Sequence, residues 1–499
     1  MRLSQYAKEI EICYMNTNKN IFISASAGSG KTTTSVHLAK ITPTYKKILF
    51  LAFNRSIVDE LEVRVPKHVE VRTIHGKACS VLKSSKIVKW KISENKNFGM
   101  LIKVMDPRKF DNKHKLMNTC CFDCCKLYDL VRLNLIDIND DEAIIEVGER
   151  WGLLVGENEL LYTRKLYQLN EKAAEKLNDS NGKIDFLDML WLAYTKVDPN
   201  DFPKYDVVFC DESQDISPLQ RELILRMIKR NGRLITVGDF SQAIYSFQGA
   251  STDSFRFFME RENTEVLKLP ISYRCAKNIV LEARPYTDHI EWRDGAPDGI
   301  VRMGKMREIK SGDMVICRNN KPLIELFIYL LKNGIKSRIL GRNFGSNLIS
   351  MMEKYGSVYE LELTLDGIFE DLKGKGVRNP RKNNKYVAFD EKLEIIKILV
   401  NHFGGYQMAI NQLNNIFTDE RSDDEVTLST IHKSKGLENE RVFILGFHEL
   451  MPSEFAVTDL ELEAEKCLQF VAITRAKDEL IYIPYMKGLI DEEKICVSE

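Results

Sequence analysis

One stretch constrains this chain more than any other: Ala25-Ser26-Ala27-Gly28-Ser29-Gly30-Lys31-Thr32, set between an apolar run and a helical pattern over Thr32–Lys40. Small residues let backbone N–H groups close around an anion, and a helix opening there adds the positive end of its dipole. Strand, glycine-rich loop, Lys-Thr and helix in that order form a phosphate-binding loop, which implies a parallel α/β architecture. Ala27, Gly28, Ser29 and Gly30 are expected to line the phosphates of ATP. Lys31 would reach the β- and γ-phosphates, and the Thr32 hydroxyl would hold Mg²⁺. Ala25 stands where the general pattern has its first glycine.

The rest of the chain keeps to this rhythm. Short apolar runs at Ile21–Ser24, Ile48–Ala52, Val69–Thr73, Val207–Cys210, Leu234–Val237 and Val266–Leu269 read as strands of one sheet. A second set follows at Met314–Cys317, Ser337–Leu340, Val426–Ser429, Val442–Leu445 and Leu480–Ile483. Two stretches break the alternation and read as mostly helical insertions, from about Lys77 to Lys183 and from about Gly345 to Arg421. In the first, Tyr162, Leu166, Leu169, Ala173 and Leu177 recur at helical spacing, as ordinary core packing requires. The second carries the basic run Lys373–Lys382, an exposed loop suited equally to solvation and to a phosphate backbone.

At 499 residues the chain exceeds one hydrophobic core, and about two to four domains are expected. Lys plus Arg equals Asp plus Glu at 72 each, which argues against a polybasic protein yet leaves room for a local basic groove. No run of about 18 apolar residues and no signal-peptide core is present, so an intracellular location is expected: cytoplasmic, or the host cytoplasm or nucleus if viral. The cluster Cys120, Cys121, Cys124 and Cys125 reads as free thiols ahead of a metal site, because no second Cys/His pair follows at zinc-finger spacing.

Hydrolysis needs an acidic pair at the end of another strand, and Asp211-Glu212 supplies it. Asp211 would share the Mg²⁺ with Thr32, and Glu212 would orient the attacking water. The bland alternative is an acidic turn leading into a helix capped by Ser217. Asp211-Glu212-Ser213-Gln214-Asp215 resembles the second motif of the UvrD/PcrA/Rep-type superfamily 1 DNA helicases, and Val237–Ala250 resembles their third. In that family an alanine at the position of Ala25 is common. The resemblance implies that Gln242 senses the γ-phosphate, and that Tyr245 and Phe247 lie at the single strand, the Phe247 ring stacking on a base. Gln248 departs from an arginine common there. Ala52-Phe53-Asn54-Arg55 and Thr73-Ile74-His75-Gly76 resemble the DNA-contacting motifs, which carries Phe53, Asn54, Thr73 and His75 to the DNA. Ile184–Leu190 resembles the segment ahead of the acidic strand, and Gln5 is placed like the adenine-reading glutamine. Thr33 stands near the adenine where the family often has an arginine, which implies relaxed base selectivity.

Three further segments complete the resemblance. Ile271–Cys275 is similar to the fourth motif, which implies that Tyr273 stacks on the adenine and Arg274 touches the γ-phosphate. Thr430–Glu438 is similar to the fifth, placing His432 at the DNA and Glu438 at the nucleotide. Ala472–Ala476 is similar to the sixth, which makes Arg475 an arginine finger. The implied fold is two RecA-like P-loop domains with parallel sheets: 1–76 with 184–270, carrying the insertion 77–183, and 271–344 with 422–499, carrying a reduced insertion 345–421. The short segments before the loop and after Arg475 imply no leader domain and no nuclease domain of the RecB kind. The implied activity is an ATP- and Mg²⁺-dependent DNA helicase moving 3′→5′ on single-stranded DNA and at single-strand/duplex junctions, with an unidentified loading or accessory protein. A protein-displacing translocase, an RNA-directed motor and a nucleotide switch without turnover are the alternatives.

Overall fold

The computed structural model describes residues 3–85, 90–107, 115–175, 182–244, 252–287, 289–374, 377, 379–420, 422, 424–456 and 458–485. Contacts divide the chain into two compact units, Met1–Ala25 with Ser29–Pro270, and Ser26–Gly28 with Ile271–Glu499.

The first unit runs α1 (Gln5–Asn16), β1 (Asn20–Ala25), α2 (Lys31–Ile41), β2 (Ile48–Ala52), α3 (Arg55–Arg64), β3 (Val69–Thr73), α4 (Ile74–Ser84), β4 (Trp90–Ile92), α5 (Lys96–Leu101), α6 (Lys115–Leu133), α7 (Asp141–Arg150), α8 (Glu157–Glu175), β5 (Gly182–Ile184), α9 (Phe186–Lys196), β6 (Tyr205–Cys210), α10 (Pro218–Arg226), β7 (Ile228–Gly238), α11 (Thr252–Glu260) and β8 (Thr264–Leu269). Six strands form one parallel sheet in the order β3-β2-β6-β7-β1-β8. Strand side chains alternate between faces, so both faces of a buried sheet need apolar residues. Ile21, Ile23, Phe50, Val207, Phe209 and Ile235 pack against α1, α2 and α3 on one side. Phe22, Leu49, Leu51, Val208 and Leu234 pack against α4, α9, α10 and α11 on the other.

The expected insertion boundary at residue 77 falls inside α4. Ala78, Val81 and Leu82 pack in the sheet's own core, so that helix belongs to the sheet and the insertion follows it. The insertion has cores of its own. Leu101, Cys121, Tyr128, Tyr162 and Leu166 form one, and Leu127, Val131, Ile144 and Val147 another. Tyr162 and Leu166 of the α8 stripe are fully buried there, and Leu177 lies outside the described residues.

A charged cluster ties α5, α6 and α9 together. Arg132, fully buried, donates to Asp188 Oδ1 at 2.7 Å and to Asp129 Oδ1 at 2.7 Å. Lys96 pairs with Asp188 Oδ2, and Asn97 donates to Asp185 Oδ2 at 2.7 Å. Asp185 and Asp188 also form the capping box that opens α9. The helix that leads to the acidic strand is therefore anchored by cations of the insertion.

The second unit runs β9 (Ile271–Ser272), α12 (Lys277–Ala283), β10 (Glu291–Trp292), β11 (Ile300–Met303), β12 (Met314–Cys317), α13 (Asn320–Lys332), β13 (Ser337–Leu340), α14 (Arg342–Tyr355), α15 (Val358–Gly374), α16 (Asn384–Phe403), α17 (Tyr406–Ile416), β14 (Phe417–Thr418), β15 (Val426–Thr430), β16 (Asn439–Leu445), α18 (Phe447–Leu450), α19 (Asp459–Ile473) and β17 (Ala476–Ile483). Its seven-stranded parallel sheet has the order β11-β17-β16-β12-β15-β13-β14. The edge strands β11 and β14 escape sequence reasoning because they are short and only partly apolar. The expected insertion 345–421 begins inside α14 and ends past β14. Leu348, Met352, Leu361, Ile396, Leu399 and Leu413 share one continuous core with Val315, Leu428 and Phe443 of the sheet. These helices are an outgrowth of the sheet's core. The basic run ends in a turn, Pro380–Lys382, with Arg381 over the Phe369 ring at 5.6 Å. Residues 375, 376 and 378 of that run lie outside the described residues.

Candidate functional site

In the first unit the singled-out segments stand at the carboxyl ends of parallel strands, where open α/β sheets bind their ligands. The loop after β1 turns through Gly28 (φ +68°) and Gly30 (φ +81°), the left-handed conformation that glycine adopts without strain. Gly30 caps α2 with no side-chain hydrogen bond, so the first-turn N–H groups have no side-chain cap and face the loop. Ser26 Oγ and Ser29 Oγ are buried without a hydrogen-bond partner among the described residues, which fits a loop built to meet phosphate oxygens. Lys31 Nζ lies 3.6 Å from Glu212 Oε1.

Thr32 Oγ1 donates to Asp211 Oδ2 at 3.0 Å, across 179 residues of sequence. A hydroxyl and a carboxylate so placed make the hard oxygen pair that Mg²⁺ prefers. Burial first, and the Glu212 carboxylate second, push the Asp211 carboxyl up to about 6, against the pull of Lys31 and Thr32. Its ionised form therefore costs the nucleotide-free fold stability at neutral pH, a cost that fades as pH falls through about 6 toward the ordinary carboxylate value. A bound cation needs that ionised form. Mg²⁺ affinity, read from Mg²⁺ titrations of ATP hydrolysis, should weaken as pH falls through about 6. An affinity independent of pH over that range would contradict it, and Asp211→Asn should remove the dependence together with activity.

Glu212 adopts φ +52° and ψ +44°, a strained conformation for a non-glycine residue. Gln214 Nε2 donates to Glu212 Oε2, and Gln214 Oε1 accepts from the Asp239 N–H at 3.1 Å. Asp239 Oδ2 in turn accepts from Gln242 Nε2 at 2.5 Å. A relay thus joins the acidic pair to Gln242. Gly238 makes room for it, since a Cβ there would come within 2.5 Å of Ser213 Oγ and 2.9 Å of Gln214 Oε1. Gln214 and Asp239 lie within the expected motifs, without an expected role of their own. The signal was a pair of polar groups shortly after apolar strands, where burial demands partners.

Phe53 is 45% exposed, as a stacking ring must be. Asn54 and Thr73 cap helices: Asn54 Oδ1 accepts from the Ile57 N–H at 2.9 Å and Thr73 Oγ1 from the Gly76 N–H at 3.0 Å. Their side chains position the loops after β2 and β3. Burial holds His75 below the usual imidazole range, hence neutral. A cavity of about 230 Å³ lies among Ala52, Phe53, His75, Asp211, Glu212 and Ser217, joining the acidic pair to these loops. Tyr245, Phe247 and Gln248 lie outside the described residues.

Gln5 opens α1, exposed, donating to Glu9 at 3.3 Å. Thr33 Oγ1 accepts from Arg64 Nη2 at 3.0 Å, so a guanidinium from α3 stands over the first turn of α2 although position 33 is not arginine. Sequence reading missed Arg64, whose role depends on a contact between distant segments.

In the second unit Tyr273 is half exposed. Arg274 Nε pairs with Glu438 Oε2 at 2.6 Å, and its Nη1 donates to the Thr474 carbonyl at 3.1 Å. Glu438 also meets Lys477 at 3.4 Å. Arg475 is 1% exposed, and its guanidinium donates to the carbonyls of Val471 at 2.9 Å and Leu437 at 3.0 Å and to Thr474 Oγ1 at 3.2 Å. A finger role requires Arg475 to exchange some of these bonds. Burial, then Arg318, push His432 down to about 3, so it too is neutral.

No helix among the described residues is long and apolar enough to cross a membrane. Residues 7–262 match the family described as UvrD/REP helicase N-terminal domain. The chain is 25% identical over 525 residues to F-box DNA helicase protein 1 of Schizosaccharomyces pombe, covering 96% of this chain and 57% of that protein. It is 23% identical over 629 residues to a probable DNA helicase II homolog of Mycoplasma capricolum, covering 97% and 84%. It is 21% identical over 621 residues to the ATP-dependent DNA helicase PcrA of Bacillus subtilis, covering 93% and 80%.

Proposed function

We propose that this chain, which belongs to the UvrD/REP helicase family, is an ATP-driven motor that moves 3′→5′ along single-stranded DNA and separates strands at single-strand/duplex junctions. The family is one of ATP-hydrolysing helicases. The observation that carries the proposal is the Thr32–Asp211 hydrogen bond beside the Lys31–Glu212 ion pair, with Gln242 linked to Glu212 through Asp239 and Gln214. Lys31 and the first-turn N–H groups of α2 hold phosphate, and Thr32 and Asp211 hold Mg²⁺, which supplies charge neutralisation at the phosphates. Glu212 orients water, and its strained backbone fixes that aim. Gln242 transmits the state of the γ-phosphate toward the segment that holds Tyr245 and Phe247. Arg274 and Arg475 supply positive charge from the second unit, Tyr273 and Gln5 meet the adenine, and Glu438 meets the nucleotide. Phe53, Asn54, Thr73, His75 and His432 belong to the DNA path, and an intracellular setting follows from that substrate.

Base–aromatic stacking contributes about 1–3 kcal/mol per base. Phe247→Ala should therefore weaken single-strand binding by about 5- to 150-fold while leaving nucleotide affinity intact. Unchanged DNA stimulation of ATP hydrolysis in that variant would remove the stacking role. A second reading is a translocase that strips proteins from single strands and unwinds poorly. It is favoured by α14–α17, which share the second sheet's core and form no separate body to engage a duplex. Strand-displacement and protein-displacement assays run side by side decide between them.

A further inference from the structure

Four thiols of α6 occupy two helical turns. Residues four apart share a face of a helix, so Cys120 stands with Cys124 and Cys121 with Cys125. The Cys120 and Cys124 sulfurs are 3.8 Å apart, and a side-chain hydrogen bond joins Cys125 to Cys121. Cys121 Sγ donates to the Phe98 carbonyl and Cys124 Sγ to the Glu159 carbonyl, each at 3.7 Å, which fixes both pairs against α5 and α8. Cys120, Cys121 and Cys124 are buried, and Cys125 is half-buried at the rim beside the exposed Phe122.

The helix prevents these pairs from closing as disulfides. Four residues advance the chain by about 6 Å along the axis, beyond the Cβ separation a disulfide tolerates. The adjoining thiol and burial hold Cys124 and Cys125 above the usual thiol range, so each pair holds a protonated thiol at rest. Two bonds of about 2.3 Å from sulfur to one centre span at most about 4.6 Å, in the linear limit. The Cys120–Cys124 sulfurs, 3.8 Å apart, lie within that reach. Among the described residues no group of three or more His, Cys, Asp or Glu is arranged as a metal cage, so an ion that demands four protein donors does not fit. A soft centre content with two sulfurs does.

We propose that each thiol pair of α6 chelates one soft, thiol-seeking centre of the monovalent copper or trivalent arsenical class, so that the helix takes up two equivalents. Two S–H bonds break and two bonds from sulfur to the centre form. With copper(I) both protons pass to solvent. With an organoarsenous acid, R–As(OH)₂, the two hydroxyls leave with those protons as two waters, and no atom changes oxidation state. The site is independent of the nucleotide chemistry.

The test uses the full, reduced chain, with excess glutathione to remove ligands held by single thiols. Native mass spectrometry after phenylarsine oxide should show two retained adducts. Cys124→Ala and Cys125→Ala should each retain one, and the double variant none. Cys120→Ala and Cys121→Ala break the same pairs from the other side and replace any variant that fails to fold by circular dichroism. A parallel arm loads copper(I) against a chromophoric copper(I) chelator, and retention in only one arm identifies the source. Loss of all adducts to glutathione in both arms, or two adducts surviving in the folded double variant, would overturn the proposal.

Discussion

Lys31→Ala should lower DNA-stimulated ATP hydrolysis by about 10²- to 10³-fold, the range for removing one preorganised group that meets developing charge. The Lys31 ammonium lies 3.6 Å from Glu212 at the mouth of the loop, and no other basic side chain of the Ala25–Thr32 segment replaces it. Its removal leaves the Thr32–Asp211 hydrogen bond and the strands behind it in place, so the variant should fold. Thermal unfolding within a few degrees of the parent, together with lost turnover, is the expected pair of results. Loss of Lys31 also leaves two adjacent carboxylates without their cation, which should raise the Asp211 carboxyl further, since Lys31 now pulls it down. Full activity in Lys31→Ala would remove the phosphate-binding assignment.

Arg132→Met should cost about 3–5 kcal/mol of stability, the penalty for breaking a buried ion pair by removing one partner. Arg132 has no exposed surface, and its guanidinium reaches Asp188 and Asp129 at 2.7 Å and Asp185 at 3.7 Å. Taking it away leaves Asp188 with Lys96 and the Asp185 N–H, and loosens the capping box that starts α9. Because α9 precedes the acidic strand, activity should fall at temperatures where the first unit still holds its sheet. Denaturant unfolding measures the loss. A change below about 1 kcal/mol would mean that water reaches the cluster and replaces the guanidinium. Simultaneous replacement of Arg132, Asp188 and Lys96 by apolar residues of similar volume should recover part of the loss, as buried ion clusters do.

The sheets were the most legible part of the chain. Ile48–Ala52 and Met314–Cys317 are buried along their whole length and read as continuous apolar runs. The partly exposed Val69–Thr73 and Ser337–Leu340 also stand at the expected residues. In the second sheet the edge strands β11 and β14 were not legible, because runs of four and two residues are too short to set a pattern. Insertion boundaries were misplaced for a different reason. Periodicity says that α4 and α14 are amphipathic, but which core their apolar faces enter is a tertiary fact. Within the candidate site, the loop and the acidic pair follow from local chemistry at strand ends. The Gln214–Asp239–Gln242 relay, the Arg64–Thr33 contact and the bonds that hold Arg475 all join residues distant in sequence or turn inward on their own unit. No local pattern reports such contacts. Arg475 is the clearest case, for its guanidinium is bonded to its own unit's carbonyls.

In the proposed motor, nucleotide hydrolysis at Asp211-Glu212 is coupled to a single strand. Steady-state ATP hydrolysis measured with and without single-stranded DNA, with RNA of the same sequence in parallel, tests it most directly. The expected result is slow hydrolysis alone and a rise of about tenfold or more with single-stranded DNA, equivalent to roughly 1.4 kcal/mol off the barrier. A rate that DNA leaves unchanged, or no hydrolysis in the presence of Mg²⁺ and DNA, would contradict it.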